Sequence, residues 1–502
     1  MNIGVMALSL TGLVVFRYIY IRYNKNIWTY FSGGPYGDAA TYFFLIQFFR
    51  KHNCGVSDER CLLSNEPVLV PSIYMKIVGK LFSDNTLLKR SWLPNFFLYV
   101  LASLFFLLML IIHGDINKWL MAFMVIFFVI QPDNISLDKH RVHYTVLQPR
   151  YFGLLLNSVF WFLYVSYGIT VWSFVLMVLL AFLSLNTSIF CRQMTFFSIV
   201  LASILLLDGL LFLILPVSAL MSAILFPKEF IPSIKPQIQY SYQYYLNYYK
   251  PKPSRNLLIH FLKNIISRPV YESYPYFASI LMTCLLSYIL FNIPKNNNAE
   301  YQLLRRLSFT YLSVIIIFII TGIRRYAFLG ECWRYISYSF YFLTPFFLPL
   351  LINQLPIPEM VKEGLILMLI LAAIAIASFA HKEKLGNKTP ALIDLLNNGP
   401  ESFRKSVWYG VPYRVSTTAV ALGYGTKTFE YQYGNHSNEI HNTYFASYPY
   451  LKWNKTILSD NNVTHVLVEN ELLSKAQEIS NFSTKELKLI ITNSEFSIYE
   501  IL

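Results

Sequence analysis

The sequence predicts a polytopic α-helical membrane protein of about eleven spans, followed by a C-terminal soluble α/β domain. Composition is the first reason. Of 502 residues, 55% are hydrophobic and only 14% charged, with a mean hydropathy of +0.45. A water-soluble chain of this size could not cover its surface with so few charges. The second reason is the recurrence of apolar runs near spanning length, and the third is an abrupt change of texture near His381. Residues 1–380 hold 29 basic against 15 acidic residues, whereas residues 381–502 hold 12 of each. Aromatic content of 17% and only 5 cysteines exclude collagen-like, disordered and disulfide-scaffold classes.

Taken in order, Ile3–Val15 reads as a retained first span, because no basic stretch precedes it and Arg17, Tyr18 and Tyr20 follow it in place of a small-residue cleavage site. Further spans are expected at Trp92–Ile112, Trp119–Ile130, Tyr151–Val165, Val171–Leu185, Thr195–Leu207, Leu210–Phe226, Phe277–Ile293, Thr310–Ile323, Tyr338–Leu351 and Leu365–Ala380. The tract Met194–Phe226 is read as two spans turning at Asp208-Gly209, since one long span would bury Asp208 without a partner. A cytoplasmic N-terminus and an odd number of spans put residues 22–91, 131–150, 186–194, 227–276 and 324–337 on the outer side, with the tail. Charge bias pulls both ways: Lys295, Arg305 and Arg306 favour this orientation, and Arg22, Lys25, Lys250, Lys252 and Arg255 oppose it.

The division is therefore 1–380 for the multi-pass domain and 381–502 for the soluble one. In the tail, Ala391–Leu396 reads as a helix and Val463–Val468 as a strand. Ser406–Gly410 and Arg414–Leu422 read as strands or short helices, Leu472–Ile479 as a helix, and Ser497–Ile501 as a strand closing the sheet. No catalytic constellation is visible there.

Three polar clusters interrupt the apolar text. In the first, Gly33-Gly34-Pro35-Tyr36-Gly37-Asp38 sets a tight turn before an apolar helix pattern that closes with Arg50 and Lys51. Asp38 reads either as the N-cap of that helix or as a carboxylate held at the membrane face as a general base. The second holds Asp133, Asp138, His140, Arg141, His143 and Gln148-Pro149-Arg150. Pro149 starts a helix and sets Arg150 at headgroup level, as a phosphate-holding fork or as a snorkelling side chain. The spacing of Asp138, His140 and His143 fits no established metal motif. The third is Arg324-Arg325-Tyr326 with Gly330-Glu331-Cys332-Trp333-Arg334-Tyr335, where Glu331 and Arg334 share a helix face and could pair. Arg192 adds a cation beside Asn186-Thr187-Ser188. The loop Pro227–Tyr276 interleaves tyrosines with Lys250, Lys252, Arg255, Lys263 and Arg268, a mixture suited to a membrane interface and, between spans, not to nucleic acid. Cys54 and Cys61 share one outer loop, a placement open to a disulfide.

Together these segments resemble the GT-C superfamily, with likeness to bacterial relatives of protein O-mannosyltransferases and of the aminoarabinose–lipid A transferase. The features that carry the resemblance are an Asp before an amphipathic helix in the first outer loop, a Pro-Arg entry to a mid-chain span, a Gly-Glu-x-x-Arg-Tyr segment and a soluble C-terminal α/β domain. The resemblance implies transfer of a sugar from a polyprenyl-phosphate carrier to an envelope glycan, lipid or protein acceptor, by an inverting displacement on the outer face of a bacterial plasma membrane. It makes Asp38 the catalytic base, and Arg150 with Arg324, Arg325 or Arg334 the clamp on the leaving phosphate. The second acidic residue the family often shows would be Asp133, Asp138 or Glu331, and the choice, with the use of a divalent cation, stays open. The competing classes are a transporter or lipid-linked substrate flippase, which would show repeated halves or charges near the midplane, and a non-catalytic scaffold, in which Asp38 would be replaceable.

Overall fold

The computed structural model describes residues 11–12, 15, 38–62, 67–113, 118–130, 147–249, 281–289, 299–322, 326, 329, 332–380, 388–429, 444 and 450–502. Three short helices open it: α1 (Asp38–Lys51), α2 (Ile73–Leu81) and α3 (Asp84–Lys89). The helical body follows with α4 (Leu93–Ile112), α5 (Lys118–Ile130), α6 (Arg150–Tyr167), α7 (Val171–Leu185), α8 (Ile189–Leu206), α9 (Gly209–Leu225) and α10 (Phe230–Tyr249). It is completed by α11 (Ala299–Gly322), α12 (Cys332–Phe340), α13 (Leu343–Asn353) and α14 (Glu359–Ala380). Its core is aromatic and aliphatic, with Trp161, Tyr151, Tyr311 and Phe346 fully enclosed.

Among the described residues, three helices are long and apolar enough to cross a membrane: Leu93–Ile112, Ile189–Leu206 and Ala299–Thr321. A fourth crossing arises if α9 and the start of α10, bent by 112° at their junction, count as one. Among the described residues the eleven expected spans are thus not shown. Several expected spans form shorter helices, Val171–Leu185 and Leu343–Asn353 among them. Ile3–Val15 falls mostly outside the described residues, and of Phe277–Ile293 only residues 281–289 are described, as helix.

The tract Met194–Phe226 does divide where Asp208 stands. Leu207 turns the chain with φ of 55° and ends α8, and Asp208 caps α9 by accepting the Leu211 N–H at 3.0 Å. Its other oxygen accepts from Tyr164 Oη at 2.9 Å, so the carboxylate is satisfied at a helix end and not stranded in a span.

The tail contains α15 (Thr389–Asn397), β1 (Val407–Val411), α16 (Tyr413–Ala421), β2 (Lys427–Thr428), α17 (Lys455–Asp460), β3 (His465–Glu469), α18 (Leu473–Ser480), β4 (Leu487–Thr492) and β5 (Phe496–Ile501). The sheet order is β2-β1-β3-β5-β4, with β2, β1 and β3 parallel and β5 and β4 antiparallel. The segment 414–422 is therefore helix and not strand, and β5 does not close the sheet. Its edge is β4, whose half-exposed Leu-Lys-Leu-Ile-Ile-Thr run lacks a clean alternation.

One further expectation changes. Cys54 and Cys61 are free thiols, both buried, and Cys54 Sγ donates to the Val70 carbonyl at 3.3 Å. Burial and the neighbouring Glu229 push the Cys54 thiol up, which keeps it an inert core group. In α1, Phe43, Phe44, Ile46 and Phe48 are all buried, while Gln47, Arg50 and Lys51 form a part-exposed polar stripe over its last turns. It packs on both α2 and α16 of the tail, so its apolar residues are enclosed between two bodies.

Candidate functional site at the rim shared by the first loop and the tail

The segment after α1 joins the tail sheet as an extra edge. Cys61 bridges Thr428 in parallel, the Leu62 N–H donates to the Thr428 carbonyl and the Thr428 N–H to the Arg60 carbonyl, each at 2.9 Å. Arg60 lies over the Phe44 ring at 3.7 Å, pairs with the buried Asp58 at 2.7 Å and donates to Gln47 Oε1 at 3.0 Å. Gln47 in turn donates to the Ala421 carbonyl at 3.1 Å. The tail and the helix headed by Asp38 thus form one packed unit at one end of the helical body.

Asp38 is the first residue of α1 itself, one step inside the cap position expected from the turn, where a negative charge favours the helix N-terminus. Its side chain lies outside the described part of the structure. One turn on, Tyr42 shares its helix face and belongs to the same buried cluster as Tyr74 of α2. Tyr74 Oη donates to Asn95 Oδ1 at 2.8 Å, and Asn95 Nδ2 donates to the Gln148 carbonyl at 3.0 Å. Gln148 is two residues before Arg150, which opens α6 after Pro149 and is half-buried. Packing of α1 on α2 and these hydrogen bonds connect α1 to the segment that enters α6.

The same end gathers α8 and α12. An added Cβ on Gly153 would stand 1.8 Å from Cys191 Sγ, so only glycine allows α6 and α8 to approach this closely. Ser158 Oγ donates to the Tyr338 carbonyl at 2.7 Å, Tyr151 and Tyr341 share a hydroxyl hydrogen bond of 2.8 Å, and Phe190 packs edge-on against Tyr335 and Tyr338. Arg334 lies one residue before Tyr335 on α12, with its side chain outside the described part. Asp133, Asp138, His140, His143, Arg324, Arg325 and Glu331 also lie outside the described residues.

Glu229 and Lys76, which the sequence reading passed over, and Arg192, which it named as a cation, complete this rim. Glu229 accepts from Ser72 Oγ and pairs with Lys76 Nζ, tying α2 to the start of α10 across more than 150 residues. Arg192 is buried and donates to the Leu185 carbonyl at 2.9 Å, Ser233 Oγ at 2.8 Å and Gln237 Oε1 at 2.9 Å. The usable signal was Glu229 itself, one of only two acids, with Glu272, in the basic Pro227–Tyr276 loop. Among the described residues no group of three His, Cys, Asp or Glu side chains is placed to hold a metal ion.

No protein-family model matches the sequence, and no curated protein matches it. Among solved structures, the chain is similar to the archaeal oligosaccharyltransferase AglB from Archaeoglobus fulgidus, determined in complex with an inhibitory peptide and a dolichol-phosphate. The likeness has a TM-score of 0.52 at 12% identity and covers 95% of this chain and 70% of that one. The shared property is the fold, and it spans both the helical body and the tail.

Proposed function

We propose that this protein is an integral-membrane glycosyltransferase of the GT-C type, which moves a glycosyl group from a polyprenyl-phosphate-type carrier to an acceptor at the rim shared by α1, α6, α12 and the tail. The observation that carries the reading is the buried connection between the two helices: Tyr42 and Tyr74 share one core cluster, Tyr74 bonds to Asn95, and Asn95 to the Gln148 carbonyl two residues before Arg150. The fold likeness, extending over nearly the whole chain to an oligosaccharyltransferase bound to dolichol-phosphate and peptide, supports an enzyme over a transporter.

In this reading Asp38 takes the proton of the acceptor as its oxygen or nitrogen attacks the anomeric carbon, and the bond to the carrier phosphate breaks on the opposite face. That displacement inverts the anomeric centre. Arg150, with Arg334, Arg324 or Arg325, holds the phosphate on which negative charge collects. Asp133, Asp138 and Glu331 remain the candidates for a second acid. The rim faces the outer side, so Lys427→Cys, an exposed tail position, should react with an impermeant reagent added to intact cells.

Asp38→Asn and Asp38→Ala test the assignment in cells at matched protein level, read by mass spectrometry of envelope glycans. Asn keeps the size and loses the base, so transfer should fall by about 10²–10⁴ while the protein still inserts and folds. The loss of the charge at the helix head accounts for only about 0.3–1 kcal/mol of stability. Wild-type transfer by Asp38→Asn would make Asp38 a helix-start residue and nothing more. Arg150→Ala should weaken binding of dolichyl phosphate by about ten-fold or more, and undiminished binding would remove Arg150 from the phosphate site.

A further inference from the structure

Helix α10 is built inside out. Its polar side chains Ser233, Gln237 and Ser241 are buried, while Ile231, Ile234, Ile238 and Tyr242 are exposed, Ile231 and Ile238 each to 60%. In a soluble protein the apolar stripe of a surface helix faces the core. The buried face meets the first turn of α8: Ser233 and Gln237 accept from Arg192, Gln237 Nε2 donates to the Ile189 carbonyl at 3.1 Å, and Gln193 Nε2 donates to Ser241 Oγ at 3.2 Å.

These contacts fix the direction of the helix. From Ser233 to Ser241 α10 advances about 12 Å, yet its partners on α8, Ile189 to Gln193, cover a rise of only about 6 Å. So α10 crosses the end of α8 and does not run along it. The bend of 112° from α9 says the same: with α9 near the membrane normal, α10 lies within a few tens of degrees of the membrane plane.

Around the helix, three sectors follow one another. On the 3.6-residue pitch the exposed apolar stripe is centred about 100° from the buried polar face, and exposed Lys235 and Gln239 come next. The stripe also continues the exposed apolar face of α9, through Leu220, Ile224 and Leu225. A protein-facing sector, an apolar sector joined to a span's lipid-facing side and a hydrated sector suit a helix lying in the surface of a bilayer.

We propose that α10 is an interfacial helix whose partner is the lipid surface, with Ile231, Ile234, Ile238 and Tyr242 at the boundary of headgroups and acyl chains and Lys235 and Gln239 in water. Lipid seats the helix from one side while Ser233 and Gln237 enclose Arg192 on the other, so bilayer contact supports the polar network that reaches Glu229 and Lys76. The inference rests on membrane insertion and not on glycosyl transfer, so either can fail alone.

The test is spin labelling of the full chain in vesicles of phosphatidylethanolamine and phosphatidylglycerol, with Cys284→Ser and Cys332→Ser as background. Nitroxides are placed one at a time at Ile231→Cys, Ile234→Cys, Ile238→Cys, Lys235→Cys and Gln239→Cys. The first three should be open to oxygen and several-fold less open to a water-soluble nickel chelate than the last two, at a common depth of about 5–10 Å. Equal nickel access at all five would overturn the proposal, as would shielding of all five from both reagents. A depth that increases steadily from 231 to 238 would overturn it in favour of a re-entrant segment.

Discussion

The two polar rims of the helical body carry similar residue types and use them differently. At the far rim, Arg306 Nε donates to the Val165 carbonyl at 3.0 Å and Arg305 Nη2 to the Leu206 carbonyl at 3.3 Å, each near the end of a helix whose last carbonyls lack intrahelical partners. Tyr164 and Asp208 complete that rim within the same helix ends. At the tail-side rim, buried amides and ion pairs tie loops, helix heads and the tail to one another: Lys76 to Glu229, Asn95 to Gln148, Arg192 to Gln237, Gln47 to Ala421. Cations that close helix ends stabilise them, whereas groups that bring separate loops together assemble a surface on which chemistry can be arranged. The proposed site lies at the tail side.

The largest expected effect on stability is at Glu229. Glu229→Ala leaves Lys76 beside an apolar gap and should cost about 3 kcal/mol, because the carboxylate is buried and its partner less than one-quarter exposed. Unfolding in mixed micelles with rising dodecyl sulfate measures it, and a loss below about 1 kcal/mol would mean the network is solvated like a surface pair. Next is Gly153→Ala, whose Cβ would overlap Cys191 Sγ and should cost about 1–3 kcal/mol. Adding Cys191→Ala should restore part of that loss by removing the sulfur; strictly additive losses would show that the clash is relieved elsewhere.

Arg306→Met sharpens the comparison from the other rim. It should lose about 1 kcal/mol of stability through the freed Val165 carbonyl and leave glycan transfer unchanged. A ten-fold drop in transfer at matched protein level would bring the far rim into the mechanism. The smallest effect is a pH dependence of the tail. His465 sits between the rings of Phe403 and Trp408, with Nδ1 at 2.9 Å from Ser406 Oγ, and burial holds its pKa below the ordinary 6.5. Below that value the unfolded chain takes up a proton that the folded one resists, so stability contributed by neutral His465 is complete above it and is lost as pH falls. Amide exchange in β1 and β3 should therefore accelerate between about pH 7.5 and about pH 5.5, after correction for intrinsic rates, and His465→Gln should flatten the response. An identical response in His465→Gln would assign it to another group.

Much of this was legible locally. The break at Asp208-Gly209 could be read because a carboxylate in a long apolar run must find a cap, and Pro149-Arg150 because proline starts helices. The strand around Val466 and the helix at 389–397 followed from short-range pattern in the same way. The reading of 414–422 stayed open because Val415, Thr417, Thr418 and Val420 have strand propensity, and burial of the whole segment against α1 and β1 outweighs it. The Cys54–Cys61 disulfide failed for a different reason. Spacing measures distance along the chain, and the two residues enter separate contacts, the Cys54 thiol at the Val70 carbonyl and the Cys61 backbone at the edge of the tail sheet.

By itself the sequence determined what depends on composition and on neighbours a few residues apart: membrane insertion, helical character, the change of texture at the tail, and helix starts and stops. Transfer free energy and capping act within a turn or two, so they are written in short windows. Tertiary structure alone decided that the tail covers α1, that residue 61 extends the sheet at Thr428, that Glu229 meets Lys76, and that α10 turns its polar face inward against Arg192. Each is a pairing between residues tens to hundreds of positions apart, selected because a buried polar group must find a partner somewhere, and no local pattern says where.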